Sequence, residues 1–269
     1  MFENIINKIA KKIEIANNHI NKDVLKSLIE YDGPFSKEIN ENYKISEKLN
    51  IPLCQDTGMV EFFVFLPKKS IDLDIEYIIN QSVIKAYTSN NFRYSTVKEP
   101  LFKRENMKNN SPAIIHYFFH ENKNIKIKFL IKGGGSENLS ALYMLKPSAD
   151  KEEIKKIIKE HIKENGARGC PPMNIGIGIG GTSDKAMILS KLALTEDFNE
   201  RNPITEYSDF EKELINDLND LRIGFQGLGY GKTVHSVHIK SFPTHIATLP
   251  LAISIDCYLV RKGEVEIEL

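Results

Sequence analysis

The sequence carries no net charge: Lys and Arg together number 36, Asp and Glu also 36, in 269 residues. A balanced chain offers no field to draw in nucleic acid or an anionic membrane surface, so neither is expected as a partner. Long apolar runs are missing too; none approaches the roughly 20 residues that cross a bilayer. The start, Met1-Phe2-Glu3-Asn4-Ile5, lacks the basic segment and continuous apolar stretch of a secretion signal. Cysteine is scarce. Three residues, Cys54, Cys170 and Cys257, lie far apart. An odd and scattered set argues against a secreted disulfide framework and for a reducing, cytoplasmic setting. There the cysteines are core residues, catalytic thiols or metal ligands. Internal repeats, low-complexity tracts and clear linkers are also lacking. Hydrophobic residues make up 41%, an ordinary share for a chain long enough to bury a substantial core.

The pattern of apolar residues predicts a mixed α/β fold: a helical N-terminal segment over residues 1–50, then a mixed sheet with flanking helices over 51–269, read together as one domain 1–269. Ile5, Ile6, Ile9, Ile13 and Ile15 recur at roughly helical spacing. Asp23 to Tyr31 and Lys37 to Leu49 read as further helices around Asp32-Gly33-Pro34. Met59 to Leu66 has the length of a strand, and Ile71 to Ala86 reads as helix. Ala113 to Phe119 and Ile125 to Ile131 flank a polar turn and predict a β-hairpin. Asp150 with Glu153 forms a capping box for a helix that Gly166 stops. Met173 to Ile179 alternates isoleucine with glycine, the mark of a strand under close backbone approach, and a helix follows to about Leu194. A polar loop over 195–208 precedes a helix from Asp209 to Leu221, and the remainder is glycine-rich and then strand-like.

Each cysteine sits where regular structure should fail: Cys54 before Gln55-Asp56-Thr57-Gly58, Cys170 between Gly169 and Pro171-Pro172, and Cys257 after the strand-like Ala252 to Asp256. Thiolates that hold an iron–sulfur cluster need such backbone, and three ligands would leave one iron open as a Lewis acid. Small buried hydrophobes are the alternative. Gly133-Gly134-Gly135-Ser136 follows a predicted strand and could turn backbone N–H groups toward an anion, or could simply form a turn. Gly176 to Thr182 invites a nucleotide-binding reading, although the spacing is not G-x-G-x-x-G. Gly231-Lys232-Thr233 ends like a P-loop but precedes a strand rather than a helix. His235 and His238 would point to opposite faces of a strand, a poor pair of metal ligands, and His245 lies at a break. Asp56 is a general acid or base, or a turn cap. Arg93 and Arg168 are carboxylate clamps or surface ion-pair partners.

Taken together and in order, Cys54-Gln55-Asp56-Thr57-Gly58, Lys132-Gly133-Gly134-Gly135-Ser136-Glu137-Asn138, Cys170-Pro171-Pro172, Gly176 to Thr182, and Pro243-Thr244-His245 ahead of Leu249-Pro250 and Cys257 resemble class I fumarases. The related L-tartrate dehydratase α subunits share the pattern. The resemblance covers about Cys54 to Cys257. It implies a hydro-lyase that adds water across the double bond of a dicarboxylate, most simply fumarate to L-malate, with L-tartrate or mesaconate as alternatives. It implies a [4Fe–4S] cluster held at loops by Cys54, Cys170 and Cys257, with one iron not ligated by cysteine. Gln55, Arg93, Gly134, Gly135 and His245 match substrate-binding positions, and Asp56 matches a proposed proton-transfer residue. Single-chain members carry a second domain, whereas this sequence stops at Leu269 soon after the third cysteine. The resemblance therefore implies an α chain that needs a β subunit, as an α dimer or an α₂β₂ assembly. A nucleotide-binding module at Gly176–Thr182 is the reading from another class.

Overall fold

A computed structural model describes residues 2–69 and 72–269. The chain divides into two compact units. The first takes the residues up to Asn21, Glu38–Gly133 and Arg261–Leu269; the second takes Lys22–Lys37 and Gly134–Val260.

In the first unit, helix α1 (Phe2–Asn18) buries Ile5, Ile6, Ile9 and Ile13, the three- and four-residue spacing that lines one helical face. Helix α4 (Ile75–Thr88) starts at an Asp74 cap whose side chain accepts from the Tyr77 N–H at 2.9 Å. The start expected at Ile71 lies outside the described residues. Both helices join one apolar core with Val60, Phe62 and Val64 of β1 (Met59–Pro67) and Ile125, Ile127 and Phe129 of β3 (Ile125–Lys132). The sheet runs in the order β2-β1-β3-β8, where β2 is Ile114–His120 and β8 is Lys262–Ile267. Helix α3 (Ser36–Leu49) leads into the first cysteine loop.

This order corrects the expected hairpin. Both strands exist, but β1 lies between them, parallel to β2 and antiparallel to β3. Val60, Phe62 and Val64 bury their side chains completely or nearly so, and a central position is where a strand of that apolar content removes most area from water.

The second unit holds α2 (Lys22–Ile29) and a sheet in the order β4-β7-β5-β6, from Ala141–Leu145, Leu249–Asp256, Met173–Gly180 and Val234–Phe242. Strands β5 and β6 are parallel, and β7 is antiparallel to both β4 and β5. Helix α6 (Lys151–Asn165) begins as the capping box predicts, with Asp150 accepting from the Glu153 N–H at 2.9 Å. It ends at Asn165 with Gly166 as its cap, as expected, and the chain continues as a 3-10 turn, Gly166–Gly169, that delivers Cys170. Helix α7 (Ser183–Ala193) lies on β5, and α8 (Thr205–Asn219) lies on β6. The start of α8 is four residues earlier than the polar composition of 195–208 suggests.

Candidate functional site

In the first unit, the Cys54–Gly58 segment has little regular structure of its own and is held by side chains from elsewhere. The Leu53 N–H reaches the Asn17 carbonyl at 2.8 Å, and Asn42 Nδ2 donates to the Leu53 carbonyl at 3.0 Å. Thr57, fully buried, donates to the Arg93 carbonyl at 2.8 Å. The Tyr87 hydroxyl donates to the carbonyls of Thr57 and Gly58, and Asn110 Nδ2 donates to Gly58 at 2.9 Å. Burial raises the Tyr87 phenol well above its ordinary pKa, so it stays a donor. Gly58 adopts φ +70°, and a Cβ there would stand 2.7 Å from the Lys132 carbonyl oxygen, so only glycine fits. Asp56 bends back so that its Oδ1 accepts from the Gly58 N–H at 3.0 Å. Its Oδ2 lies 3.0 Å from the place where a Gly133 Cβ would be, which ties the Cys54 motif to the glycine motif. Gln55 and Arg93 are exposed, and Cys54 is half-buried.

Arg261 is the residue that sequence reasoning missed. It is 3% exposed and directs Nη1 to the Asp56 carbonyl at 2.6 Å and to Asn17 Oδ1 at 2.9 Å. A lone arginine directly after the apolar pair Leu259-Val260 was the available signal, since a buried guanidinium needs partners.

In the second unit, Cys170 is exposed, with φ +52°, at the end of the 3-10 turn, and the Pro171–Pro172 peptide after it is cis. Cys257 leaves the end of β7, half-buried, with its N–H on Asp256 Oδ1 at 3.0 Å. The Tyr258 N–H donates to the Cys170 carbonyl at 3.1 Å, so two of the three cysteines lie on adjoining backbone. None of the three cysteines is in a disulfide. Accessible thiols at element ends, two of them on backbone segments bonded to one another, suit a cluster whose sulfur ligands come from irregular backbone. No three His, Cys, Asp or Glu side chains among the described residues are grouped to hold a single metal ion. A cubane poses a different demand, because its thiolates are spread over separate irons.

Gly134 and Gly135 open a one-turn helix, α5 (Gly134–Glu137), and both are exposed. A Cβ at Gly134 would meet nothing within 4 Å, so no neighbour in the fold requires glycine there. His245 is exposed; its Nδ1 accepts from the Ala247 N–H at 3.1 Å, which leaves the imidazole proton on Nε2, a donor toward solvent. Arg168 instead bonds Asn165 through its guanidinium. His235 stacks on Phe198 at 5.2 Å, and His238 is buried beside a cavity that Glu211 and Lys240 also line; none of the residues matched to the cluster, substrate or proton-transfer positions lines that cavity.

The nucleotide reading of Gly176–Thr182 fails on geometry. Gly176 and Gly178 lie inside β5, and a Cβ on them would stand 1.9 Å from the Ser190 carbonyl oxygen and 2.0 Å from that of Ala186. These glycines admit α7, not a phosphate. The start of α7 is already served by the Asp184 carboxylate, held below its usual pKa by the Thr182 hydroxyl and by backbone N–H groups.

The family model for fumarate hydratase (fumerase) matches residues 3–266. A Methanocaldococcus jannaschii protein named provisionally as L(+)-tartrate dehydratase subunit alpha is 37% identical, over 99% of this chain and 92% of its own length. The L(+)-tartrate dehydratase subunit alpha of Escherichia coli K12 is 30% identical, over 83% of this chain and 75% of its own. With the family model spanning nearly the whole sequence and its motif segments held by buried hydrogen bonds, the chain belongs to the fumarate hydratase (fumerase) family.

Proposed function

We propose that this chain is the α subunit of a [4Fe–4S]-dependent hydro-lyase that interconverts fumarate and L-malate, working with a β subunit. The observation that carries the reading is the pair of cysteine segments joined by the Tyr258 N–H and the Cys170 carbonyl, at element ends where the thiols are accessible. Cys54, Cys170 and Cys257 would hold the cluster, and its iron without a cysteine ligand would supply a Lewis acid for the substrate hydroxyl.

The chain's own residues have separate tasks. Arg93 and Gln55, exposed beside the Cys54 loop, bind carboxylate oxygen. Gly134 and Gly135 present backbone to the substrate on a surface clear of side chains. His245 donates from Nε2 because its Nδ1 is committed to the Ala247 N–H. Asp56 moves the proton; its Oδ1 is fixed by the Gly58 N–H and its carbonyl by Arg261, so the carboxylate is oriented before substrate arrives. A dianionic substrate needs cationic and N–H donors, and these residues provide them. We infer that the two units act together as one hydro-lyase domain, in the cytoplasm, in an α dimer or an α₂β₂ complex. Among the described residues no helix is long and apolar enough to cross a membrane.

L-Tartrate is the second reading, favoured by the names of both relatives. Co-expression with a β chain, anaerobic purification and parallel assays on fumarate, malate, L-tartrate and mesaconate separate the two. Turnover of fumarate far above tartrate supports the first reading, and the reverse order replaces it with the second. Full activity from the α chain alone would refute the need for a partner.

A further inference from the structure

The loop after α8 has no part in the reading above, yet it reaches both cysteine segments of the second unit. Phe225 is 2% exposed. Its ring stacks on Tyr31 at 4.6 Å and packs on Tyr258, the residue after Cys257, at 5.0 Å. The next residue, Gln226, has φ +51° and donates its N–H to the Pro171 carbonyl, just after Cys170, at 2.9 Å. One dipeptide thus holds the chain beside each cysteine.

Tyr31 gives this contact a fixed base. Its hydroxyl donates to the Pro34 carbonyl at 3.0 Å. A Cβ at Gly33 would come 2.5 Å from the Tyr31 oxygen, and one at Gly231, where φ is +72°, would come 3.1 Å from the ring. The ring therefore packs against two glycines at which an added Cβ would crowd it. The loop is closed behind Phe225 by its N–H on the Tyr230 carbonyl at 2.6 Å.

We propose that Phe225 is a positioning residue that fixes Cys170 and Cys257 relative to each other, so that the two thiols are preset for the cluster. The role in cluster retention rests on the ligand assignment above; the fixing of the two segments does not. The Cys170 segment meets this dipeptide through the Gln226 N–H and the Cys257 segment meets it through the Phe225 ring, so the dipeptide limits their freedom to separate. Supporting groups around a metal site set affinity even when they do not touch the metal.

Two measurements test this, on the full chain. In the Cys54→Ser apoprotein, dibromobimane fluoresces once two thiolates have displaced its two bromides, so it reports how readily Cys170 and Cys257 are bridged. Phe225→Ala should slow bridging by about tenfold, the scale seen when supporting groups around a metal site are removed. Phe210→Ala, which removes an equal ring from the helix–sheet core of the same unit, should leave it near the parent rate. In the anaerobically reconstituted chain, Phe225→Ala should lose cluster absorbance to a chelator about tenfold faster than Phe210→Ala. Phe225→Leu, which keeps most of the apolar bulk, should fall between and carries the comparison if the alanine variant does not fold. Equal bridging rates in the Phe225 and Phe210 variants would overturn the proposal. If the parent chain takes up no iron or sulfide, the ligand assignment falls instead, and the bridging rates still decide what Phe225 does.

Discussion

Replacing Gly178 by alanine tests whether the glycine-rich strand serves packing or a ligand. The new methyl would stand 2.0 Å from the Ala186 carbonyl oxygen and 2.8 Å from the Ser190 amide nitrogen. Both neighbours are backbone of α7, so no rotamer change relieves the clash and the helix must move off β5. Overpacking a core costs about 1–3 kcal/mol, and a backbone obstacle belongs at the upper end, about 3. The stiffer unfolded chain returns about 0.4–1 kcal/mol. A net loss of about 2–3 kcal/mol lowers the melting temperature by about 5–10 °C for a chain of this size. Circular dichroism melting under anaerobic conditions reads it directly. Gly134→Ala is the matched control: nothing lies within 4 Å of its Cβ, so the melting point should hold while substrate binding weakens. A Gly178→Ala protein that melts with wild type, or one that keeps its fold but loses a nucleotide the wild type binds, would refute the packing argument.

Two further perturbations follow from buried charge. His235 Nε2 is sealed from solvent without a hydrogen-bond partner, and burial, then the Lys232 charge, pushes its pKa down to about 3. The folded state refuses a proton that the unfolded chain accepts near pH 6.5, so stability is full above that pH and falls as pH drops toward 3. Between pH 6.5 and 5 the loss should be about 2 kcal/mol in urea titrations, and His235→Phe should flatten that slope; a parallel slope in the variant would contradict it. Arg261→Met leaves the Asp56 carbonyl and Asn17 Oδ1 without a buried donor, which should cost about 3 kcal/mol, with kcat falling more than KM rises. Unchanged kinetics in a folded Arg261→Met enzyme would remove Arg261 from the positioning of Asp56.

What could be read in the sequence was local. The Asp150–Glu153 cap, the Ile-Gly alternation of β5 and the break at each cysteine are set by neighbours in the chain, and the structure has them at those places. The β2–β3 pairing was misread because the competitor for both strands, β1, lies about fifty residues upstream, and turn composition carries no information about it. Arg261 holds a loop some two hundred residues earlier, and Tyr31 supports Phe225 across a similar separation. Such long-range contacts leave no periodicity to detect. The motifs marked the candidate backbone; the buried side chains that hold it in place became visible only in the fold.

The central claim is that the three cysteines hold one cluster, and iron and acid-labile sulfide analysis of the anaerobically reconstituted chain tests it most directly. A brown protein with about four irons and four sulfides per chain, lost in Cys54→Ser, Cys170→Ser and Cys257→Ser alike, is the predicted result. A folded, colourless chain without sulfide, or a cluster that survives the loss of any one of these cysteines unchanged, would contradict it.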